Sequence, residues 1–173
     1  MSKAHIRAAI QADLPEILRV YNDAILTGVA TWDEAPWSAE RRLEWWRQHA
    51  ADPASPVLVA EAPGAEGAQS FAGFAYLTRM SDKSGWRFTR EDTIYLDPAF
   101  HGRGIGRELL GQLLAEAKTL GLRLIVASIT STNAASIALH ASLGFETMGE
   151  MKNAGYKWDT WHSTTYMQKD LHG

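Results

Sequence analysis

The sequence predicts one α/β domain over residues 1–173, built on a mixed central β-sheet that is flanked by about four helices. Three observations support this fold class. The chain has 173 residues, of which 46% are hydrophobic and 21% charged, as expected for one globular domain with a substantial core. Strand-like and helix-like patterns alternate along its whole length, without a linker, a repeat or a low-complexity tract. One strand leads through a glycine-rich turn into a long amphipathic helix, an arrangement typical of α/β domains.

The elements are predicted from capping residues and from the spacing of apolar residues. Asp13, Pro15 and Glu16 form a helix start, and Ser38 is the expected N-cap of a second helix. The buried stripe of that second helix is predicted to comprise Ala39, Leu43, Trp46 and Ala50. In chain order the predicted elements are a strand at 5–10, helices starting at 13 and after 38, strands at 57–61, 71–78 and 89–96, a helix at 104–120, a strand at 122–127, a helix at 133–143, and strands near 145–151 and 161–169.

Three of the strands carry further expectations. Strands 57–61 and 71–78 are expected to form a hairpin around a long loop, 62–69, which is rich in Pro, Gly and Ala. Strand 122–127 is apolar except for Arg123, which is typical of a strand in a parallel arrangement that is covered on both faces.

Charge and composition exclude several classes of function. Lys and Arg total 17 against 20 Asp and Glu, a net charge of −3 that does not favour nucleic acid or an anionic membrane as partner. No apolar run approaches 18 residues and the N-terminus lacks a signal-type apolar stretch, so we expect a soluble cytoplasmic protein. The absence of Cys excludes disulfides, thiolate metal sites and a covalent cysteine mechanism. No His, Asp or Glu cluster has metal-ligand spacing, so no metal is expected.

The glycine-rich turn between the predicted strand 89–96 and helix 104–120 is the most informative segment. Glycines at 102, 104 and 106 permit close backbone approach, and the first helical turn offers unpaired N–H groups to a phosphate or pyrophosphate. The spacing fits neither a P-loop nor a dinucleotide fingerprint, since no Gly-Lys-Ser/Thr string occurs and Arg107 stands where the third glycine would be. A glycine-rich turn without any ligand is the alternative.

This turn resembles a known family. His101-Gly-Arg-Gly-Ile-Gly106 is similar to the acyl-CoA pyrophosphate loop of the GCN5-related N-acetyltransferases (GNAT), whose pattern is Gln/Arg-x-x-Gly-x-Gly/Ala. His101 takes the Gln/Arg position, a departure expected to tune CoA affinity without abolishing it. A second segment, Asn133 to Phe145, resembles the family's Asn…Ala…Leu-Tyr…Gly-Phe motif, with Asn133, Ser136 or Ile137, and His140 on one helix face.

The resemblance implies a GNAT-like fold and acetyl-CoA as co-substrate. It also implies that CoA is bound by residues of the strand end, of the glycine-rich turn and of the following helix. These expected cofactor-binding residues are Ile94, Tyr95, Leu96, His101, Gly102, Arg103, Gly104, Ile105, Gly106, Arg107, Asn133 and Ser136.

A closer likeness, over about residues 5–171, is to phosphinothricin-type acetyltransferases. It rests on Tyr21-Asn-Asp-Ala-Ile with Thr31-Trp32, on Glu91 before Ile-Tyr-Leu, and on the segment from Tyr156 to Leu171. This branch implies a small amine acceptor resembling an amino acid, and a homodimer. It usually has Lys-Phe-Gly-Arg-Trp-Leu-Asp where this chain has Lys-Trp-Asp-Thr-Trp-His-Ser at 157–163, so the acceptor itself is left open.

Two residues are expected to carry the chemistry. The resemblance implies that Glu91 is the base that takes a proton from the attacking amine, although its position also fits a carboxylate on a solvated strand face, as expected for Asp92. His140 replaces a tyrosine that many relatives use to protonate the CoA thiolate, and a packed histidine is the alternative. Because the chain has no Cys, the acetyl group is expected to pass directly to the amine in a ternary complex.

The acceptor is expected to be phosphinothricin, methionine sulfoximine or a similar molecule with an anionic end. Arg79 and Arg87 flank the loop 80–86 and would bind that anion bidentately, although solvated surface arginines are equally consistent with their positions. Trp32, Trp86 and Trp161 are further candidates for substrate contact. Two other functions stay open: an acetyltransferase for peptide N-termini or polyamines, and an acyl-CoA-binding sensor without catalysis.

Overall fold

The computed structural model describes residues 4–64 and 67–172 and confirms the α/β class and the order of the elements. Part of the predicted loop 62–69, residues 65–66, lies outside the described residues. The strands and α-helices are β1 (His5–Ala8), α1 (Leu14–Thr27), α2 (Ala39–Ala50), β2 (Val57–Pro63), β3 (Gln69–Arg79), β4 (Thr89–Leu96), α3 (Ile105–Thr119), β5 (Leu124–Thr130), α4 (Ala134–Ser142), β6 (Glu146–Lys157) and β7 (Thr160–Asp170).

The seven strands form one mixed sheet in the order β1-β2-β3-β4-β5-β7-β6. All neighbouring pairs are antiparallel except β4 and β5, which are parallel, as expected for β5. β5 begins and ends later than its predicted range of 122–127. Its later end was missed because polar residues follow Ala127. Ser128 and Thr130 pair with β7 as regular strand residues, although an apolar pattern alone stops at Ala127.

The parallel pair opens part-way along its length. β4 and β5 are in register only from Thr89 opposite Leu124 to Asp92 opposite Ala127. Beyond that point β4 continues to Leu96 and β5 to Thr130. The polar backbone groups of both strand ends therefore border a gap in the sheet, and this gap positions the site described below.

Each face of the sheet has its own core. On one face α3 and α4 pack against the sheet, with Leu109, Leu110 and Leu113 fully buried, as the helical spacing of α3 predicts. On the other face α1 and α2 cover β2, β3 and β4 through a second cluster that includes Ile17 and Phe74. No helix within the described residues has the length and apolar character needed to cross a lipid bilayer.

The predicted buried stripe of α2 is wrong for two of its four residues, whereas Leu43 and Trp46 are partly buried and pack against the core. Ala39 and Ala50 are exposed, whereas the buried residues of this helix are Arg42 and Trp45. The Arg42 guanidinium, 1% exposed, lies 4.4 to 4.7 Å from the ring centroids of Trp37, Trp45 and Tyr21. Aromatic ring faces are a favourable environment for a guanidinium, which explains why this charged residue is buried although it is not part of the predicted stripe. Burial lowers the pKa of Arg42.

Candidate active site

A cavity of about 450 Å³ lies where β4, the glycine-rich turn, α1 and α4 meet. The end of β4 forms its floor, and the first turn of α3 and one face of α4 form its walls. Its lining residues are Val20, Asp23, Ala24, Thr27, Gly28, Ala30, Ile94, Tyr95, Leu96, Pro98, His101, Gly102, Gly104, Gly106, Arg107, Asn133, Ala135, Ser136 and Leu139.

The glycine-rich turn has the backbone conformation that its sequence predicts. Gly102 and Gly104 have φ angles of +70° and +82°, in the left-handed region that favours glycine, and Gly104 is the N-cap of α3. A Cβ at Gly106 would lie 3.1 Å from Leu96 Cδ1 and 3.4 Å from Leu139 Cδ2, so α3 packs closely on β4 and α4. The first turn of α3 thus presents its unpaired N–H groups, with their partial positive charge, at the cavity.

The structure brings ten of the twelve predicted cofactor residues to this cavity. The other two lie elsewhere: Ile105 is buried in the core, and Arg103 donates to the carbonyl of Pro63 while stacking on Phe100. His101, at the position of the family's Gln/Arg, contacts the carbonyl of Leu96 through Nε2 at 3.2 Å. The contribution of α1, through Val20, Asp23, Ala24 and Thr27, was not predicted.

A second, smaller cavity of about 100 Å³ lies in the gap between β4 and β5. Ala30, Ile94, Tyr95, Asn133 and Ser136 line both cavities, so the two spaces are neighbours that share one wall. The smaller cavity is lined in addition by Glu91, Asp92, Thr93, Ala127, Ser128, Ile129, Thr130 and His140.

Both predicted catalytic residues line this second cavity. Glu91 is half-buried on β4, opposite Thr78 of β3 and Val126 of β5, in the last part of the parallel pair before the strands separate. His140 reaches the cavity from α4, whose N-cap is Asn133. The Asn133 side chain accepts a hydrogen bond from the Ser136 backbone N–H at 3.1 Å and so fixes the start of this helix.

Asp92, the neighbour of Glu91, is buried, whereas a solvated side chain was expected. The side chains of Asp92 and His140 are each 1% exposed, and His140 Nε2 lies 3.0 Å from Asp92 Oδ2. His140 Nδ1 lies 2.7 Å from the carbonyl oxygen of Ser136. Asp92 on β4 therefore forms a buried pair with His140 on α4, and this contact between residues 48 positions apart was not predicted.

The ionisation of this pair is set by burial and by the contact itself. Burial raises the pKa of Asp92, and the hydrogen bond from His140 only partly opposes that effect. Burial alone would lower the pKa of His140, but the hydrogen bond and charge of Asp92 outweigh it, so that the pKa of His140 is raised. Both directions favour retention of a proton by the pair.

The predicted acceptor residues lie outside both cavities. Arg79 donates from Nε to Asp52 at 2.8 Å and lines a separate cavity on the other side of β3. Trp86, Arg87 and Trp161 are exposed. Trp32 approaches the site indirectly, since its indole N–H donates to Thr130 Oγ1, and Thr130 lines the smaller cavity.

A mixed sheet that opens between β4 and β5, beside a glycine-lined helix N-terminus, offers a site for an anionic ligand such as a pyrophosphate. The chain belongs to the acetyltransferase (GNAT) family, whose family model matches residues 17–145. It is an acyltransferase that acts on amino groups.

Three similar proteins illustrate this membership. An L-methionine sulfoximine/L-methionine sulfone acetyltransferase of Salmonella typhimurium is 38% identical over 96% of this chain and 94% of its own. A phosphinothricin acetyltransferase from Sinorhizobium meliloti, solved with acetyl-CoA, has a TM-score of 0.90 and 38% identity over 97% of this chain and 88% of its own. A ribosomal-protein-alanine N-acetyltransferase from Brucella melitensis has a TM-score of 0.89 and 38% identity over 96% of this chain and 99% of its own.

Proposed function

We propose that this protein acetylates the amino group of a small amino-acid-like molecule with an anionic end, such as methionine sulfoximine or phosphinothricin, with acetyl-CoA as donor. One observation carries the proposal: the large cavity beside the glycine-rich turn shares a wall with a smaller cavity that is lined by a carboxylate, Glu91. The relatives named for methionine sulfoximine and phosphinothricin support the acceptor class.

The glycine-rich turn would hold the pyrophosphate of CoA through backbone N–H groups, and Asn133 and Ser136 on α4 would border its pantetheine arm. The bound donor supplies a thioester carbonyl carbon for attack by the amine. Glu91 receives the proton that the amine gives up, directly or through water, because an ammonium group has no lone pair with which to attack. The chain has no Cys, which supports direct transfer in a ternary complex.

In this proposal His140 is the source of the proton that the departing thiolate takes up. Both of its ring nitrogens are hydrogen-bonded within the protein, so the proton must come from the bond that His140 shares with Asp92. A thiolate is already a fair leaving group, and loss of His140 should therefore cost less activity than loss of Glu91.

We also propose that the protein is a cytoplasmic homodimer that acts without nucleic acid or membrane and without a metal. Exposed apolar side chains are concentrated on β6, β7 and their turn, where Trp158 and Trp161 are 52% and 62% exposed. A second copy would cover this surface. A mass measured by light scattering that corresponds to one chain would overturn the dimer.

The five predicted acceptor residues remain candidates for contact with the acceptor, each to be tested separately. Trp32 is held against the site wall through Thr130, whereas Arg79 is already paired with Asp52. Alanine variants of Arg79, Arg87, Trp86 and Trp161 test each contact separately, and an acceptor KM equal to that of the unaltered enzyme removes that residue from the site.

The acceptor screen is the direct test. Purified protein is incubated with acetyl-CoA and a panel of amines, and free thiol is followed as the product. Turnover is expected with methionine sulfoximine, methionine sulfone or phosphinothricin. Binding of acetyl-CoA without turnover on any amine would contradict the proposal and favour a sensor.

A peptide N-terminus is the second candidate acceptor. The observation that favours it is the likeness to the ribosomal-protein-alanine N-acetyltransferase, together with the unusual segment 158–163. A peptide beginning with alanine and a polyamine therefore belong in the same panel. A kcat/KM for the alanine peptide above that for all the free amino acids would decide for this second acceptor class.

A further inference from the structure

The hydrogen bonds of His140 determine where its protons are. A backbone carbonyl oxygen can only accept, so at 2.7 Å from the Ser136 carbonyl the Nδ1 atom must carry the hydrogen. An unprotonated Nδ1 would place two lone pairs against each other in a buried site. The Ser136 hydroxyl, at 3.4 Å, is too distant to replace this contact.

The consequence concerns the other ring nitrogen. With the hydrogen on Nδ1, a neutral His140 has only a lone pair at Nε2, which faces Asp92 Oδ2 at 3.0 Å. This contact is favourable only if one further proton lies between the two atoms, as a protonated Asp92 or as an imidazolium beside a carboxylate. In either form the pair has no net charge and holds one acidic proton.

The second oxygen of the Asp92 carboxylate also connects this residue with the smaller cavity. Asp92 Oδ1 is buried and has no hydrogen-bond partner among the described residues, and Asp92 lines the smaller cavity beside Glu91. Of the groups that line this cavity, the ionisable ones are Glu91, Asp92 and Tyr95 on β4 and His140 on α4, and β5 contributes none. The phenol of Tyr95 stays neutral, since burial raises its pKa well above the usual value.

We propose that Asp92 is a positioning residue for acetyl transfer: it fixes the ring of His140 and keeps a proton on the Asp92–His140 pair for the departing thiolate. This inference rests on the proposed function. When the carbon–sulfur bond breaks, sulfur takes the bonding electron pair and then one proton from the pair. The pair is left with one negative charge, which a proton from solvent neutralises before the next turnover.

The proton positions are tested first on the free enzyme, without substrate. Histidine ¹⁵N NMR of labelled protein, with His140 assigned by its loss in His140→Gln, should show a protonated Nδ1 throughout the accessible pH range. In Asp92→Asn the Nε2 proton should be lost at lower pH than in the unaltered protein. A resonance typical of the Nε2–H tautomer in the unaltered protein would overturn the proposal whatever the enzyme acetylates.

The kinetic test uses the pH profile. Asp92→Asn keeps the size of the side chain but removes the acid, so we expect kcat to fall by about tenfold or more and its alkaline limb to move to lower pH. Glu44→Gln, an exposed carboxylate on α2, is the matched control and should leave the profile unchanged. A purely structural Asp92 would alter stability and leave the alkaline limb in place, and that result would contradict the proposal.

A double-mutant cycle shows whether Asp92 acts through His140. If it does, kcat of Asp92→Asn/His140→Gln should equal that of His140→Gln alone, because the second substitution has nothing further to remove. Independent, multiplying losses would overturn the proposal. If the unaltered enzyme turns over none of the amines, the proposed function fails, and the NMR experiment still decides the proton positions.

Discussion

The indole N–H of Trp32 donates a hydrogen bond to Thr130 Oγ1 at 3.1 Å, and Thr130 in turn donates to the carbonyl of Val29 at 2.6 Å. This connection joins the segment after α1 to the end of β5, which is paired with β7 but no longer with β4. Thr130 lines the smaller cavity, so the indole of Trp32 helps to fix one wall of the site although it does not line it.

Substitution of Gly155 should displace Trp32. A Cβ at this position of β6 would overlap the six-membered ring of Trp32, so Gly155→Ala forces the indole or the strand to move. We expect a loss of about 1–3 kcal/mol in the free energy of unfolding, measured by urea denaturation, and a lower kcat. Gly85→Ala is the control, since its Cβ would meet no atom within 4 Å. Equal losses in the two variants would refute the overlap.

Lys157 should be important for stability and for acetyl-CoA binding. Its buried ammonium donates to the carbonyls of Ile25, Gly28 and Thr31 at 2.8 to 2.9 Å. Lys157→Met leaves these carbonyls without a charged donor, which should cost about 3 kcal/mol of unfolding free energy. Because Gly28 lines the large cavity, the KM for acetyl-CoA should rise as well.

The control for Lys157 is an exposed lysine on the same strand, Lys152. Lys152→Met should change neither the unfolding free energy nor the KM for acetyl-CoA. If Lys157→Met is as stable as that control, the three hydrogen bonds do not hold the end of α1 and the segment after it.

Removal of the Glu91 carboxylate should abolish most of the activity. In Glu91→Gln no base takes the proton from the amine, and we expect kcat to fall by about 10²- to 10⁴-fold at neutral pH, with the KM for acetyl-CoA unchanged. Thiol release measured with saturating acceptor checks this, again with Glu44→Gln as the control. Full turnover of Glu91→Gln would show that another group is the base.

The glycine-rich turn should be sensitive to a single methyl group at Gly104. Gly104→Ala has free space around its Cβ but must adopt a φ near +82°, which should cost about 1–2 kcal/mol of stability. We also expect acetyl-CoA to bind about tenfold more weakly, because the first N–H groups of α3 shift. Gly111→Ala, in the interior of α3, should raise stability by about 1 kcal/mol without changing affinity, as isothermal titration would show.

Acid sensitivity should depend on Asp13, which accepts two hydrogen bonds from Arg7 at 2.8 Å and one from the Ile10 N–H. The Arg7 guanidinium lowers the pKa of Asp13, so the folded protein binds its proton less readily than the unfolded chain. The resulting stabilisation is present at neutral pH and is lost as the pH falls from the unfolded pKa of Asp13 through the folded one.

Asp13→Asn should therefore cost about 1 kcal/mol of unfolding free energy at neutral pH and almost nothing in acid, where the two proteins converge. Chemical denaturation across the pH range measures this. Asp82 is exposed, so the unfolding free energy of the control Asp82→Asn should change with pH in the same way as that of the unaltered protein. A constant difference between Asp13→Asn and the unaltered protein at all pH values would mean that the charge of Asp13 is not responsible.

Local patterns predicted much of this molecule. The glycines at 102, 104 and 106 indicated the turn because their conformation depends on the chain nearby, and periodicity gave every strand and α-helix in the described residues. Contacts between distant parts of the chain were not predictable. The pairing of Asp92 with His140 spans 48 positions, and alternation along β4 shows only which face Asp92 occupies, not what lies opposite.

Arg42 was missed for a related reason. An arginine on a helix is usually solvated, and only the assembled rings of Tyr21, Trp37 and Trp45 make its burial favourable. The predicted acceptor arginines were taken from their place beside a loop, which says nothing about competing partners. Asp52, 27 positions from Arg79, is such a partner.

The contacts of Lys157 also bear on the order in which the protein is made and folds. This residue binds carbonyls 126 to 132 positions earlier in the chain, so the end of α1 and the segment after it cannot be secured until β6 has been synthesised. Contacts of such long sequence separation form slowly because a large loop must close first. We therefore expect the nascent chain on the ribosome to assemble β2, β3 and β4 early and to complete its active centre last.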